Sequence, residues 1–142
     1  MTHEKDMLSP DSARSAAEAA ICAARQDGKN ISVAIVDSKG HDVLVVRDGA
    51  TWFTPGVARA KAATAALMAM PTTAYAELSE KFPELASAID AQTKQSLTSL
   101  PGGLPLIDKG VVIGGIGVSG ATPDQDVIYA ETGAGALQQM TR

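Results

Sequence analysis

The chain has few of the residues that usually hold metals or form disulfides. Its single cysteine, Cys22, cannot pair within the chain, which favours a reducing compartment. Its two histidines, His3 and His41, stand far apart. No group of histidine, cysteine and acidic residues has the spacing of a metal site. The sequence therefore predicts no metal centre.

A basic surface and a long apolar run are also missing. The 12 Lys and Arg residues are scattered, the net charge is -4 and the pI is near 5.0. These values argue against a nucleic-acid partner, because phosphate binding needs a basic face. No run approaches the roughly 18 apolar residues of a membrane span, and residues 1–9 are too polar for a secretory signal. We therefore expect a cytoplasmic protein without a membrane segment.

Aromatic residues make up only 4% of the chain, while alanine and glycine are abundant. Secondary-structure elements should therefore pack closely through small side chains. With 142 residues and 45% hydrophobic content, the chain suits one domain over residues 1–142, with a loose tail at residues 1–8.

Capping and turn residues divide the chain into helix, hairpin, helix with a helical insert, hairpin and helix. The first helix is predicted to begin at residue 10 and to be stopped by Gly28, and further helices are predicted at residues 54–70, 74–80, 83–95 and from 122 onward. Strands are predicted at residues 31–37, 42–47, 104–108 and 111–119. Antiparallel hairpins flanked by helices make an α+β domain with a sheet of four or five strands. A fifth short strand is expected near residues 97–100.

The predicted strand 111–119 and the residue after it carry four glycines: Gly114, Gly115, Gly117 and Gly120. Missing side chains on both faces mean that a helix, a neighbouring subunit or a ligand comes close to the backbone. The pattern G-x-G-x-x-G is present, but no following βαβ unit supports a dinucleotide site. A serine-hydrolase elbow at Ser119 is excluded because no histidine follows it.

Three charged residues stand out as candidates for a site. Lys61 shares a helix stripe with apolar residues, so its ammonium should either extend to solvent or point into a site. Arg47 closes the second strand. Asp126 falls in the first turn of the last helix, where the helix dipole favours a carboxylate.

Several segments, taken in order and spacing, resemble the GlcG/HbpS-like family of haem-binding or haem-degrading proteins. This family is related to the C-terminal domain of PduO-type corrinoid adenosyltransferases. The matching segments are VAIVD at 33–37 with Gly40, RDGA at 47–50, ARAKAATA at 58–65, GGLP at 102–105, and the glycine strand 114–120 with Gln125 and Asp126. The resemblance spans residues 8–137. It implies a profilin-like α/β/α fold, dimers that build octamers, and haem or another tetrapyrrole as ligand.

Haem-binding relatives use a histidine near or in the first helix as an iron ligand. Residues 9–28 contain none in this chain. Axial ligation by histidine would therefore require that His3 folds back or that a partner subunit supplies His41.

Three functions remain open at this point. The first is a protein that binds haem or a similar small ligand, whether or not it also degrades that ligand. The second is a non-haem enzyme for a small anionic metabolite, in which Arg47 and Lys61 bind oxygens and an acidic or phenolic group moves a proton. The candidates for that proton transfer are Asp37, Asp126, Tyr129 and Glu131. The third is an accessory subunit of a homo-oligomer without chemistry.

The predicted site combines both sets of candidates. Lys61 and Asp126 are the expected catalytic residues. The expected ligand-binding residues are Arg47, Lys61, Gly103, Gly115, Gly117 and Ser119. Haem is the one cofactor that the resemblance implies.

Overall fold

The computed structural model describes residues 8–140, with side chains described as far as residue 137. His3 lies outside the described residues. Five helices and four strands follow one another in this part of the chain: α1 (Pro10–Gln26), β1 (Ser32–Asp37), β2 (Asp42–Arg47), α2 (Thr54–Met68), α3 (Thr72–Lys81), α4 (Pro83–Asp90), β3 (Gly103–Asp108), β4 (Val111–Ser119) and α5 (Pro123–Met140).

The strands form one antiparallel sheet in the order β2-β1-β4-β3. Two hairpins meet through β1 and β4, where Ser32 lies opposite Ser119. The predicted α+β class with an antiparallel sheet is confirmed. The prediction of a fifth strand at residues 97–100 was wrong. The Thr98 amide donates to the Thr64 hydroxyl at 2.9 Å instead of pairing with a neighbouring strand. This segment passes over α2 and pairs with no strand.

Helices cover both faces of the sheet, which gives the expected α/β/α layers. Successive strand residues point to opposite faces. One face, with Ile31, Val33 and Ile35, forms a core with alanines of α1 and with α5. The other face packs Ala34 and Val36 against alanines of α2. Small side chains dominate both layers, as the composition predicted.

The glycines of β3 and β4 let α2 lie directly on the sheet. A Cβ at Gly117 would overlap the backbone carbonyl of Ala58, and one at Gly115 would overlap that of Ala62. A Cβ at Gly103 would likewise meet the Lys61 carbonyl. Of the three neighbours that the sequence allowed for this strand, the structure places a helix of the same chain there.

Two predicted helix ends were too late. Helix α2 stops at Met68 rather than residue 70, because Ala69 takes a left-handed conformation with φ 55° and closes the helix. Helix α4 ends at Asp90 rather than residue 95, where a side-chain turn between Thr93 and Gln95 replaces helical pairing. The start of α5 is as predicted, with reciprocal capping bonds between Thr122 and Gln125.

Candidate functional site

A cavity of about 320 Å³ opens at one end of the sheet, where β4 ends and where α2 and α5 begin. It is lined by Thr51, Phe53, Thr54, Val57, Lys61, Leu100, Pro101, Ser119, Gly120, Ala121, Pro123 and Asp126. We call it the Lys61 cavity. Its volume falls in the range of about 300–1,000 Å³ that is usual for small-molecule sites.

Lys61 and Asp126 form a buried ion pair in this cavity. The Lys61 Nζ lies 3.1 Å from the Asp126 Oδ2, and their side chains are 4% and 6% exposed. The expectation that the ammonium might extend to solvent was therefore wrong. The alternative expectation, an ammonium that points inward, matches the structure, because the Lys61 side chain is buried and lines the cavity.

The Lys61 ammonium has three N–H donors, and the described residues supply acceptors for two of them. One donates to the Val118 carbonyl at 2.7 Å and one to Asp126. Among the described residues, no acceptor is found for the third. Since Lys61 lines the cavity, a ligand oxygen is the natural partner for that donor.

The first turn of α5 fixes the position of Asp126. Its Oδ1 accepts a hydrogen bond from the Ala121 amide at 3.0 Å, so both carboxylate oxygens have partners. Gly102 faces the pair from the other side, and a Cβ there would come within 3.0 Å of the Lys61 Nζ. The hydrogen bonds with the Val118 carbonyl and the Ala121 amide therefore hold the pair in place, and the Gly102 backbone packs against it.

Burial acts on both members of the pair. Loss of solvation lowers the pKa of the Lys61 ammonium below its usual value, against the attraction of Asp126. It raises the pKa of the Asp126 carboxyl, against the attraction of Lys61 and the Ala121 amide. The two pKa values thus move toward each other, which is the arrangement that favours proton transfer in a site.

A second hollow of about 400 Å³ adjoins the Lys61 cavity and shares Phe53, Val57 and Leu100 with it. Trp52 completes its aromatic wall. The Trp52 and Phe53 rings are 5.7 Å apart and edge to face, and they are 79% and 50% exposed. The two hollows therefore make one continuous apolar surface that ends at a buried cation.

The structure brings together three of the predicted site residues. Lys61, Ser119 and Asp126 line the cavity. Gly103, Gly115 and Gly117 lie against the α2 backbone instead. Arg47 is exposed at the end of β2 and is not among the lining residues of the cavity. A ligand role for Arg47 stays a prediction.

The other candidates for proton transfer lie elsewhere. Tyr129, on α5, is buried in the core that α5 shares with α1, and its hydroxyl donates to the Asp27 Oδ2 at 2.6 Å. Burial, together with this hydrogen bond, raises the pKa of its phenol to about 12. Asp37 accepts amide bonds in the β1–β2 turn. Glu131 is exposed. Of the four groups, Asp126 alone faces Lys61.

The sequence analysis missed the apolar wall. Phe53, Val57 and Leu100 come from the start of α2 and from the segment before β3. An exposed Trp-Phe pair just before a helix was the available signal, since large aromatics are rare in this chain. The aromatic pair forms part of a wall only because the segment 91–102 places Leu100 beside it. No periodic pattern in the sequence predicts the path of that segment.

Comparison with known proteins places the chain in a family. The family described as "Haem degrading protein HbpS-like" matches residues 8–135. The chain belongs to the HbpS-like family. Protein GlcG of Escherichia coli K12 is 32% identical over 97 residues, which cover 68% of this chain and 69% of GlcG. The resemblance seen in the sequence is thereby confirmed.

Two solved structures have the same fold. The crystal structure of HbpS is 38% identical, with a TM-score of 0.80 over 90% of this chain and 88% of HbpS. The crystal structure of a PduOC–heme complex is 27% identical, with a TM-score of 0.79 over 91% of this chain and 94% of that one. The three-layer architecture is therefore that of the HbpS-like proteins.

The residues around the cavity suit the ring of a haem better than its iron. Proteins hold haem iron through His, Cys, Met or Tyr. None of these residue types is among the described residues that line either hollow. His41 follows the far end of β1, about 17 Å along the strand from Ser32 at the cavity end. Within one chain, His41 therefore does not supply an axial ligand here.

Two further searches cover the described part of the chain only. Across residues 8–140, no helix is long and apolar enough to cross a membrane. Within the same residues, no three His, Cys, Asp or Glu side chains gather where they would hold a metal ion.

Proposed function

We propose that this HbpS-like chain binds a flat, amphipathic ligand of the haem or tetrapyrrole class in the Lys61 cavity and the adjoining hollow. The observation that carries the proposal is a continuous apolar surface that ends at one buried ammonium, one of whose N–H donors has no acceptor among the described residues. The family description and the haem bound by the related PduOC supply the ligand class.

The shape of the ligand follows from the wall. Tetrapyrroles are flat apolar rings with carboxylates at one edge. Trp52 and Phe53 offer aromatic faces and edges to the ring, where aromatic contacts contribute about 0.5–1.5 kcal/mol beyond area burial. The polar edge then meets the Lys61 ammonium, whose charge-assisted hydrogen bond is worth about 1.5–3 kcal/mol.

Binding alone is proposed, and no step of ligand degradation. Degradation would depend on iron held in a fixed position, and the cavity lining supplies no side chain that usually ligates it. The ring and its carboxylates are therefore the recognised parts of the ligand.

The proposal is tested by titrating the protein with haemin and following the Soret absorbance. We expect a saturable shift that ends at a fixed ratio of haemin to chain. Val57→Phe fills the wall shared by both hollows and should weaken binding about 10-fold, or about 1.4 kcal/mol. Leu67→Phe, at an exposed position on the same helix, is the matched control. A spectrum that does not change at high micromolar haemin removes the proposal.

A second function is favoured by the buried pair itself. An ammonium next to a carboxyl, with pKa values displaced toward each other, suits acid–base catalysis on a small metabolite. Here Lys61 would stabilise a developing enolate oxygen, and Asp126 would move the proton. If Asp126→Asn abolished turnover of a small metabolite but left haemin binding unchanged, this second function would be distinguished from the first.

We also propose that the protein acts as a cytoplasmic homo-oligomer. Exposed large apolar residues lie on several surfaces, among them Trp52, Phe82, Leu85 and Ile128. Contact between copies would cover such side chains. The exposed thiol of Cys22 fits a reducing compartment.

A further inference from the structure

We propose that the Lys61 amine forms a Schiff base with a small aldehyde or ketone that enters the Lys61 cavity. This activity is separate from tetrapyrrole binding and does not depend on it. Two features of the geometry carry the inference: an amine that lines a cavity, and a carboxyl within hydrogen-bond distance of that amine.

The Gly102 backbone packs against the Lys61 Nζ, and an added Cβ there would lie only 3.0 Å from the nitrogen. The open side of the ammonium is therefore the cavity that Lys61 lines. Two N–H groups are engaged by Val118 and Asp126, and the described residues hold no acceptor for the third. An incoming carbonyl group therefore reaches the nitrogen from the cavity side, once the amine has lost a proton to Asp126 and rotated its lone pair toward the cavity.

The buried pair contains its own acid and base. Movement of one proton along the 3.1 Å hydrogen bond converts the ammonium and carboxylate into an amine and a carboxylic acid. Burial favours this neutral form relative to water, because it disfavours both charges. A desolvated lysine in an apolar pocket is the usual way in which proteins obtain a nucleophilic amine.

The reaction then balances within the site. The Nζ lone pair attacks the carbonyl carbon, the C–N bond forms as the C=O π bond breaks, and one proton passes from the nitrogen to the carbonyl oxygen to give a neutral carbinolamine. Asp126 protonates that hydroxyl, which leaves as water while the nitrogen lone pair forms the C=N bond. The ammonium and the carbonyl compound are thus converted into a protonated imine and one water. No oxidant, reductant or metal takes part.

The product keeps the electrostatics of the resting site. A protonated imine carries the same single positive charge as the ammonium, so the Asp126 carboxylate retains its partner. The apolar wall of Phe53, Val57 and Leu100 limits the access of water that would hydrolyse the imine. The site therefore selects a neutral carbonyl compound with a small apolar substituent.

The test uses propionaldehyde with sodium cyanoborohydride at neutral pH, which reduces an imine to a stable secondary amine. Peptide mass spectrometry then gives the labelling rate of each lysine in the same sample. The exposed Lys39, Lys81, Lys94 and Lys109 serve as internal controls. We expect Lys61 to react at least about 10-fold faster than each of them, because burial lowers the pKa of its ammonium and so raises the fraction of reactive amine at neutral pH.

Two results would overturn the inference. The first is a Lys61 that reacts no faster than the exposed lysines, as a purely structural ion pair would. The second is fast labelling of Lys61 that persists in folded Val57→Phe, because the aldehyde would then not enter through the cavity. The outcome is independent of the haemin titration, since labelling without haemin binding supports this inference alone.

Discussion

The Lys61 ammonium and the Asp126 carboxylate meet at 3.1 Å in the interior, although 65 positions separate them in the sequence. Helix α2 carries one group and the first turn of α5 carries the other. Both are desolvated, and desolvation is costly for each charge. A pair of this kind, at the edge of an apolar cavity, is the centre of the functional account.

The pair predicts strong coupling between two substitutions. Lys61→Met leaves the Asp126 charge buried without its partner, and Asp126→Asn does the same to Lys61. Each single change should lower the free energy of unfolding by about 3–5 kcal/mol, whereas the double variant should recover most of that loss. Urea unfolding of the four proteins measures the coupling. If the two losses in the free energy of unfolding simply add in the double variant, the interaction between the two groups contributes nothing to stability.

The Lys61→Met variant should also change its stability with pH. Burial already raises the pKa of Asp126 above its unfolded value of 3.8, and removal of the neighbouring ammonium raises it further. A raised folded pKa gives stability that is fully present below the unfolded pKa and is lost as pH rises through the folded pKa. The variant should therefore lose less stability, relative to the unsubstituted protein, at about pH 5 than at about pH 8. An equal loss at both values would contradict this assignment.

Close contact between α2 and the sheet predicts a large effect at Gly117. Gly117→Ala places a methyl group against the Ala58 carbonyl, so α2 must shift away from β4. We expect a loss of about 1–3 kcal/mol in the free energy of unfolding. Gly56→Ala is the control, since no atom lies near its added methyl group, and its stability should change by no more than about 1 kcal/mol. Equal stability of both variants would contradict the packing role.

The cavity lining also predicts the response to removal of iron. Because no usual axial ligand lines the described cavity, protoporphyrin IX without metal should bind with an affinity within about 10-fold of that of haemin. Competition between the two compounds measures the ratio. Haemin that binds far more tightly would mean that a residue outside this cavity ligates the iron. His3→Ala and His41→Ala would then identify it.

Exposed apolar side chains predict self-association. Light scattering at tens of micromolar should give the mass of more than one chain of 14.6 kDa. Phe82 and Leu85 lie exposed at the bend between α3 and α4, so Phe82→Ser tests whether that surface contributes. A mass that corresponds to a monomer would contradict the proposed assembly.

The sequence predicted the local structure of this fold well, because its signals are local. Ser9 and Pro10 start α1, glycines occupy both hairpin turns, and a short continuous run of apolar residues defines β1. The segment at residues 97–100 was misassigned because its amides bond to side chains of a helix, which no periodicity reports. Tertiary pairing decides the state of such a segment.

The candidate site was predictable only in part. Lys61 and Asp126 were each unusual in their local pattern, but no local pattern reports the distance between two residues 65 positions apart. The role of the glycines shows the same limit. Gly115 and Gly117 predicted that another part of the structure comes close to the backbone of β4. Only the fold identified helix α2 as that neighbour.

Trp52 offers the most direct test of the claim that the Lys61 cavity and its adjoining hollow bind the ligand. It is the single tryptophan of the chain and lines the hollow, so its fluorescence reports on that surface alone. Titration with haemin, corrected with free N-acetyltryptophanamide, should give saturable quenching whose midpoint rises about 10-fold in Val57→Phe and stays unchanged in Leu67→Phe. Quenching that never saturates, or identical curves for all three proteins, would place the ligand elsewhere and contradict the account.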